Sequence, residues 1–313
     1  MKRTTEILTG FDYKNGNYFE LEETLKKEIN GLPVIEYCIP KEKAIYRCRR
    51  NVNFKDLFFF ENDISYRTDV KNIRTAGRCH LPASSIFYGS VSTLTNDGRY
   101  FDGYITSIYE TSSLITDDLN GMESYTIGMW VAKENIYLPL VIPEKDYFIK
   151  LGVDEGFYKS FEPHINKLFQ DTDVAELYKV FGNEFKKKVH SANHYEYFVS
   201  ALICESLIKV PGGIMYPSVK AEGIGMNVAF LPNKFDELFE LKQVGTGELY
   251  KFKDQIVFNH RLIVEDVKVY PFKYKPVPNG ISKSDQEIIS FFNSIGIDNE
   301  FMVKGLFESI RRN

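Results

Sequence analysis

The residues able to do chemistry fall into three stretches. In AIYRCRR (Ala44–Arg50), strand alternation puts Arg47 and Arg49 on one face with Ile45, and Tyr46, Cys48 and Arg50 on the other. Two guanidiniums projecting side by side offer planar donor forks that suit a phosphate or pyrophosphate, although a solvated strand edge is the commoner setting for such arginines. In GGIMYPSVKAEGIGMNVAFLP (Gly212–Pro232), two short apolar runs bounded by Pro211, Gly223, Gly225 and Pro232 have the pattern of two buried strands joined by a glycine-bearing loop. Tyr216, Ser218, Lys220 and Asn227 give this stretch more polar groups than a packing seam needs, and loops held by a rigid scaffold are where binding chemistry concentrates. In IRTAGRCHLPASSIFYGSV, a bent loop marked by Gly77 and Pro82 carries Arg74, Arg78 and His80. It runs into a strand over 86–91 on which Tyr88 faces opposite to Phe87.

Other arrangements carry less. His190 and His194 stand four apart, a spacing that puts two ligands on one helix face, but no HExxH and no third ligand accompanies them, so they read as surface histidines. Gly223-Ile-Gly225 lacks the third glycine and following helix of a dinucleotide fingerprint, and no GxxxxGK[ST] phosphate loop is present. Ser218 lacks the flanking glycines of a nucleophile elbow, which argues against a serine hydrolase.

The elements that must position these residues follow from periodicity and punctuation. Helical spacing of Phe19, Leu21, Leu25 and Ile29 predicts a helix over 18–30 stopped by Gly31-Leu-Pro33, within an N-terminal helical extension over 1–40. Leu57–Phe60 reads as an aromatic plug. A helix is expected over 97–114 with Glu110 near its middle, where a glutamate is usually exposed, and a strand pair over 124–140 holds the single tryptophan, Trp130. Residues 154–190 are helical by period, with Asp173 and Glu176 as cap and partner. A helix over 192–209 braces the Gly212–Pro232 stretch, and Gly245-Thr-Gly247 signals a hairpin turn. A strand over 261–270 completes a domain spanning 41–270, and a proline-bearing link over 271–278 opens the segment that follows. The C-terminal segment, 271–313, ends in a helical pair over 284–312 capped by Ser284 and Glu287.

Composition narrows the class. The chain has 313 residues, 43% hydrophobic and 26% charged, which is ordinary for a globular protein of one large domain or two smaller ones. A formal net charge of −4 disfavours a nucleic-acid binder. The basic run Lys186–Lys188 reads as a solvated helix end. Four cysteines without CxxC spacing disfavour a zinc ribbon or a disulfide scaffold. No apolar run approaches the roughly 20 residues that span a bilayer, and the N-terminal stretch lacks a signal peptide's apolar core. The expectation is a reduced, cytoplasmic protein without a membrane partner.

In order, then, the chain shows a strand with YRCR, a loop with AGRCHLP running into IFYGS, a helix with YETSSL, a strand with GMWV, and GGIMYPSVKAEGIGMNVAF. In this ordered set the chain resembles the RES-domain family, named for its Arg, Glu and Ser, over 44–232. The resemblance implies an α+β fold like that of ADP-ribosyltransferases, with central mixed β-sheets flanked by helices and extensions at both ends. It implies NAD+ as substrate, with cleavage of the nicotinamide–ribose bond by phosphorolysis or hydrolysis and phosphate as a co-substrate in the first case. No metal or other cofactor is required. Many family members are toxins, which implies a cognate antitoxin as partner. Residue by residue, the family arginines fall on Arg47 and Arg78, the strand tyrosine on Tyr88, the helix glutamate on Glu110 and the YPS serine on Ser218. Glu123, read as a solvated turn residue, is the fallback carboxylate. Arg49, Tyr216 and Asn227 join as substrate contacts.

The chemistry of these residue types agrees with that activity. Nicotinamide leaves as a neutral base without protonation, so the ribose becomes oxocarbenium-like and a carboxylate at Glu110 stabilises it. Arg47 and Arg78 suit the pyrophosphate, Tyr88 packs beside the nicotinamide, and Ser218 donates to the substrate or positions the nucleophile. At this point Cys79-His80 replaces the family's apolar residue and asparagine, and the gap from Tyr88 to Glu110 is longer than usual. Transfer of ADP-ribose to a macromolecule, or a binding protein without catalysis, are the alternatives.

Overall fold

The computed structural model describes residues 2–29, 32–51, 56–94, 100–141, 155–208, 211–221, 225–278 and 283–296, and these build an α+β fold. They divide into two compact units that interleave in sequence, where three consecutive segments were expected. Unit 1 comprises Met1–Ile45, Tyr66–Thr106 and Val131–Glu240, and unit 2 comprises Tyr46–Ser65, Ser107–Trp130 and Leu241–Asn313.

Along the chain come helices α1 (Lys2–Thr9) and α2 (Tyr18–Ile29), strands β1 (Glu36–Ile39) and β2 (Ala44–Arg50), and the short helix α3 (Glu61–Ile64). Strands β3 (Phe87–Val91), β4 (Thr93–Leu94) and β5 (Tyr100–Phe101) lead into helices α4 (Gly103–Thr111) and α5 (Ser113–Thr116). Next are β6 (Gly121–Ala132), β7 (Ile136–Pro139), α6 (Glu155–Leu168), α7 (Thr172–Phe185) and α8 (Phe198–Ile208), the last preceded by a 3₁₀ segment, Ser191–Tyr197. Strands β8 (Gly213–Pro217) and β9 (Met226–Phe230), helix α9 (Pro232–Leu238), strands β10 (Phe239–Phe252), β11 (Gln255–Val264) and β12 (Tyr274–Pro276), and helix α10 (Asp285–Ser294) follow.

Unit 1 is organised on β3, β9 and β8, adjacent and antiparallel, with Ser90 opposite Asn227 and Asn227 opposite Tyr216. The stretch 212–232 is thus the strand–loop–strand its punctuation predicts. Because side chains alternate, Tyr88, Ser90, Ala229, Asn227, Ile214 and Tyr216 share one face. That face meets a core in which α1, α2, α7 and α8 supply Leu8, Leu21, Leu25, Phe181, Phe185, Leu202 and Ile203. Each such side chain contributes about 1.5–3 kcal/mol by leaving water. In α2 the buried stripe is Leu21, Leu25 and Ile29, while Phe19, expected among them, is 72% exposed because it falls off that stripe. Helix α7 is capped by Asp171, whose Oδ1 accepts from the Asp173 and Val174 N–H groups at 2.9 and 3.2 Å. The expected cap, Asp173, sits two residues inside at N2, where its amide is one of the two that the true N-cap accepts from.

The helix carrying Glu110 is shorter than expected, because Tyr100 and Phe101 pair as β5 with β4. Asp102 Oδ1 accepts from the Tyr104 N–H at 3.0 Å and starts α4 there. Gly103 lets the helix start close to the strand end. Its N–H donates to Ser92 Oγ at 3.0 Å, and a Cβ on it would meet the Val91 carbonyl carbon at 2.7 Å and the Ser92 nitrogen at 2.8 Å.

In unit 2 the strand order is β12–β11–β10–β6–β2, and the β10–β11 and β11–β12 ladders are antiparallel. The β3–β9, β8–β9, β10–β11 and β11–β12 ladders are all antiparallel, where mixed sheets were expected. Gly245-Thr246-Gly247 is not a turn. It lies inside β10 with a bulge between Thr246 and Gly247, and the reversal falls after Phe252, which pairs with Gln255. Gly247 is needed there because a Cβ would meet the Asn259 carbonyl oxygen, a backbone atom, at 2.8 Å. Strand β11 ends at Val264, short of the expected 270. Helix α10 carries the expected cap, Ser284 Oγ accepting from the Glu287 N–H at 3.3 Å and Glu287 Oε2 from the Ser284 N–H at 2.7 Å. Ile288 and Phe292 pack with Tyr250; the second expected helix lies outside the described residues. Trp130 is buried, its Nε1–H donating to Glu61 Oε1 at 3.1 Å. The expected aromatic plug is half open, with Phe59 and Phe60 43% and 49% exposed and Phe60 stacked on Tyr270. Among the described residues no helix is long and apolar enough to cross a membrane.

Gly103→Ala drives a Cβ into backbone rather than into a flexible side chain. We expect a net loss of about 1–2 kcal/mol in chemical denaturation, since overpacking outweighs alanine's helix propensity of roughly 1 kcal/mol. Unchanged stability would show that the strand end yields.

Candidate functional site

Five of the eight sequence-derived site residues lie in unit 1. Ser90 Oγ donates to Asn227 Oδ1 at 2.8 Å, both side chains being buried. With its oxygen occupied, the Asn227 amide has its NH2 as the donor end. Tyr216, the next side chain in this cross-strand row, is buried with its ring 5.2 Å from that of Phe185. Ser218 lies just past β8 and is fully buried. Its N–H donates to the Gly225 carbonyl at 2.7 Å and its Oγ accepts from the Ala221 N–H at 3.0 Å, which closes the turn leaving the strand.

The loop preceding β3 is built around Tyr88. Gly77 and His80 pair as a tight bridge, their N–H and carbonyl groups exchanged at 2.9 and 3.3 Å. The Cys79 N–H donates to the Tyr88 hydroxyl at 2.8 Å, and His80 Nδ1 stands 2.8 Å from the same oxygen. Cys79-His80 therefore grips the tyrosine. Burial, with Cys79 and Cys204 close by, pushes the Tyr88 phenol well above its ordinary range and keeps it protonated. Gly77 leaves room for both partners: a Cβ there would meet His80 Cε1 at 2.3 Å and the Tyr88 hydroxyl at 3.2 Å.

Arg78 is committed to a helix end. Its Nη1 donates to the Phe185 carbonyl at 2.5 Å and to the Glu184 carbonyl at 3.3 Å, and its Nη2 donates to the Lys187 carbonyl at 2.9 Å. The guanidinium also lies over the Tyr197 ring, 5.2 Å from its centroid. The Glu184 and Phe185 carbonyls are orphans of the last turn of α7 and that of Lys187 lies just past its cap, and a cation there also suits the helix dipole. His194 Nδ1 accepts from the Ala76 N–H at 3.4 Å, so this histidine too serves the loop.

Unit 2 holds the rest. Arg47 and Arg49 share a face of β2 as alternation requires, both half-buried. Arg49 Nη1 donates to the Asp63 carbonyl at 2.6 Å and its guanidinium lies 5.6 Å from the Phe58 centroid. Glu110 is half-buried in the last turn of α4. The adjacent Thr111 Oγ1 donates to the Cys48 carbonyl at 3.2 Å, seating that end of the helix on β2.

Glu123 is not a solvated turn residue. It lies within β6, 7% exposed, at the centre of a polar cluster. Ser112 Oγ donates to its Oε2 at 2.7 Å, and the Ser113 N–H and Arg50 Nη1 donate to its Oε1 at 3.3 and 2.9 Å. The Ser113 and Tyr125 hydroxyls complete five donors. Burial alone would raise its pKa, but the donors from Ser113, Tyr125, Ser112 and Arg50 outweigh it and hold the carboxyl below the ordinary 4.5. Sequence reasoning missed Arg50, Ser112, Ser113, Tyr125 and Ser90 as partners of candidate residues. For Ser90 a signal existed, since it stands two residues from Tyr88 and must share its face. Neither a protein-family model nor a curated protein matches the chain.

A folded-state value below the unfolded one means that Glu123 contributes stability above the unfolded value near 4.5, and that this is lost as pH falls through the folded value. We expect Glu123→Gln to cost about 3 kcal/mol at neutral pH, through donors left without a charged acceptor. The gap from wild type should narrow in melting curves below pH 4. A gap independent of pH would show that the charge is not what stabilises.

Proposed function

We propose that this chain is an NAD+-degrading enzyme of the RES type, with the ADP-ribosyltransferase-like fold of that family, cleaving the nicotinamide–ribose bond by attack of phosphate or water. One observation carries the reading: Ser90, Asn227 and Tyr216 form a polar row across β3, β9 and β8, with Tyr88 two residues along the same face. These are residues of the ordered motifs, on a sheet whose other positions are mostly apolar.

In this reading the departing nicotinamide needs no acid, and positive charge develops on the ribose, so an ionised carboxylate is worth more in the transition state than in the ground state. Glu110 takes that role. Glu123, with five donors already on its two oxygens, is better suited to holding its surroundings. Arg47 and Arg49 meet the pyrophosphate, and Arg78 contributes through the hairpin it anchors on α7. Asn227 donates from its amide, Tyr88 borders the nicotinamide, and Tyr216 and Ser218 shape the end of β8 where the nucleophile is positioned. A cytoplasmic setting fits four cysteines that are all unpaired, and a cognate antitoxin would be the protein partner.

Incubating the purified protein with NAD+, with and without phosphate, should release nicotinamide, together with ADP-ribose or its phosphorylated form. Label transferred to protein instead would indicate an ADP-ribosyltransferase, and intact NAD+ would exclude both. Expression in a bacterial host should deplete NAD+ and slow growth. Glu110→Gln should lower kcat by about 10²–10³ with little change in KM. Arg47→Ala should weaken NAD+ binding, with lysine a poor substitute because it lacks the fork.

A further inference from the structure

Three side chains that the proposed chemistry does not use meet at the C-terminal turn of α7. Glu184, 5% exposed, accepts at Oε1 from the Tyr13 hydroxyl at 2.8 Å and from Lys187 Nζ at 2.6 Å. Lys187 Nζ also donates to the Tyr13 hydroxyl and lies 4.1 Å from the centre of its ring. Tyr13 belongs to the link between α1 and α2, where it is braced by Phe11 and by Tyr18, whose hydroxyl donates to the Tyr13 carbonyl at 2.5 Å. The backbone of this same turn is what Arg78 grips, through the carbonyls of 184, 185 and 187. One residue on, the Cys79 N–H holds the Tyr88 hydroxyl.

We propose that Tyr13 is a positioning residue for Tyr88, acting through the Glu184–Lys187 turn and the Arg78 hairpin. The route is contiguous within unit 1: Tyr13 to the Glu184 carboxylate, the Glu184–Lys187 backbone to the Arg78 guanidinium, and the Cys79 amide to the Tyr88 phenol. Each link is a hydrogen bond, and the two on either side of the turn involve a charged group, which makes them the stronger kind. The N-terminal extension is then a working part of the site, because it fixes the helix end on which the Arg78 hairpin is seated. The link to catalysis rests on the NAD+ reading above, whereas the mechanical link does not.

Tyr13→Phe keeps the ring and removes only the hydroxyl. Amide hydrogen exchange across Arg78–His80 should quicken by about tenfold, the factor expected when a hydrogen bond to a charged group is lost from a local opening. KM for NAD+ should rise about as much while kcat holds, because a displaced Tyr88 loosens substrate binding rather than the bond-breaking step. Tyr66→Phe, which removes a comparable hydroxyl bond to Asp236 at 2.7 Å, should leave hairpin exchange unchanged. Should Tyr13→Phe fail to fold, Lys187→Met removes the ammonium from the same cluster and is expected to give the same exchange pattern. Unchanged hairpin exchange in the cluster variants, or an equal response in Tyr66→Phe, would overturn the positioning role. If wild type leaves NAD+ intact while the hairpin responds to Tyr13→Phe, the proposed function falls and the positioning role stands.

Discussion

A carboxylate taken out of water must be met by donors, and in unit 2 that requirement falls on Glu123. Its five donors come from the end of β2, the junction between α4 and α5, and β6 itself, so three separate parts of the chain are fixed by one ion. An apolar residue at position 123 would impose no such agreement, since dispersion contacts are non-directional and tolerate sliding. Neighbouring residues inherit the consequence: Glu110 sits two residues before Ser112, and Arg47 three residues before Arg50. Both candidate residues are thus set by a cluster that has no place of its own in the proposed chemistry.

Unit 1 meets the same constraint with backbone groups. A helix leaves its last carbonyls without internal partners, and α7 resolves this with an arginine from a distant hairpin rather than with a glycine C-cap. Since that arginine is followed by the two residues that hold the Tyr88 hydroxyl, satisfying a helix end and orienting a candidate substrate contact become one event. The sheet is cross-linked at this place, with Ser90 and Asn227 hydrogen-bonded across adjacent strands and both buried.

Local patterns were legible in proportion to how local their causes are. Strands β2, β3, β8 and β9 and the Ser284–Glu287 cap follow from alternation, punctuation and a three-residue reciprocal bond, all contained within a few residues. Gly245-Thr-Gly247 misled because the same glycines that favour a turn also permit a bulge, and here Gly247 lies close against the Asn259 backbone across the ladder. Glu123 misled because its polar flank, Asn120 to Ser124, looks like a loop until Arg50, 73 residues away in sequence, is paired with it. Arg78 was picked out by type, but its partners lie more than a hundred residues downstream. No periodicity records such a pairing. The division of the chain into two interleaved units was hidden for the same reason, being a property of long-range packing.

Trp130 gives the molecule an unplanned optical feature. It is the single tryptophan of the chain, buried in unit 2, with its indole N–H on a glutamate carboxylate. Light absorbed selectively by indole therefore interrogates unit 2 and nothing else, while the 20 tyrosines report on the chain at large. Emission from the one and circular dichroism from the whole form a pair of clocks. Coincident transitions would mark the two units as one cooperative body, and separated transitions would time them apart.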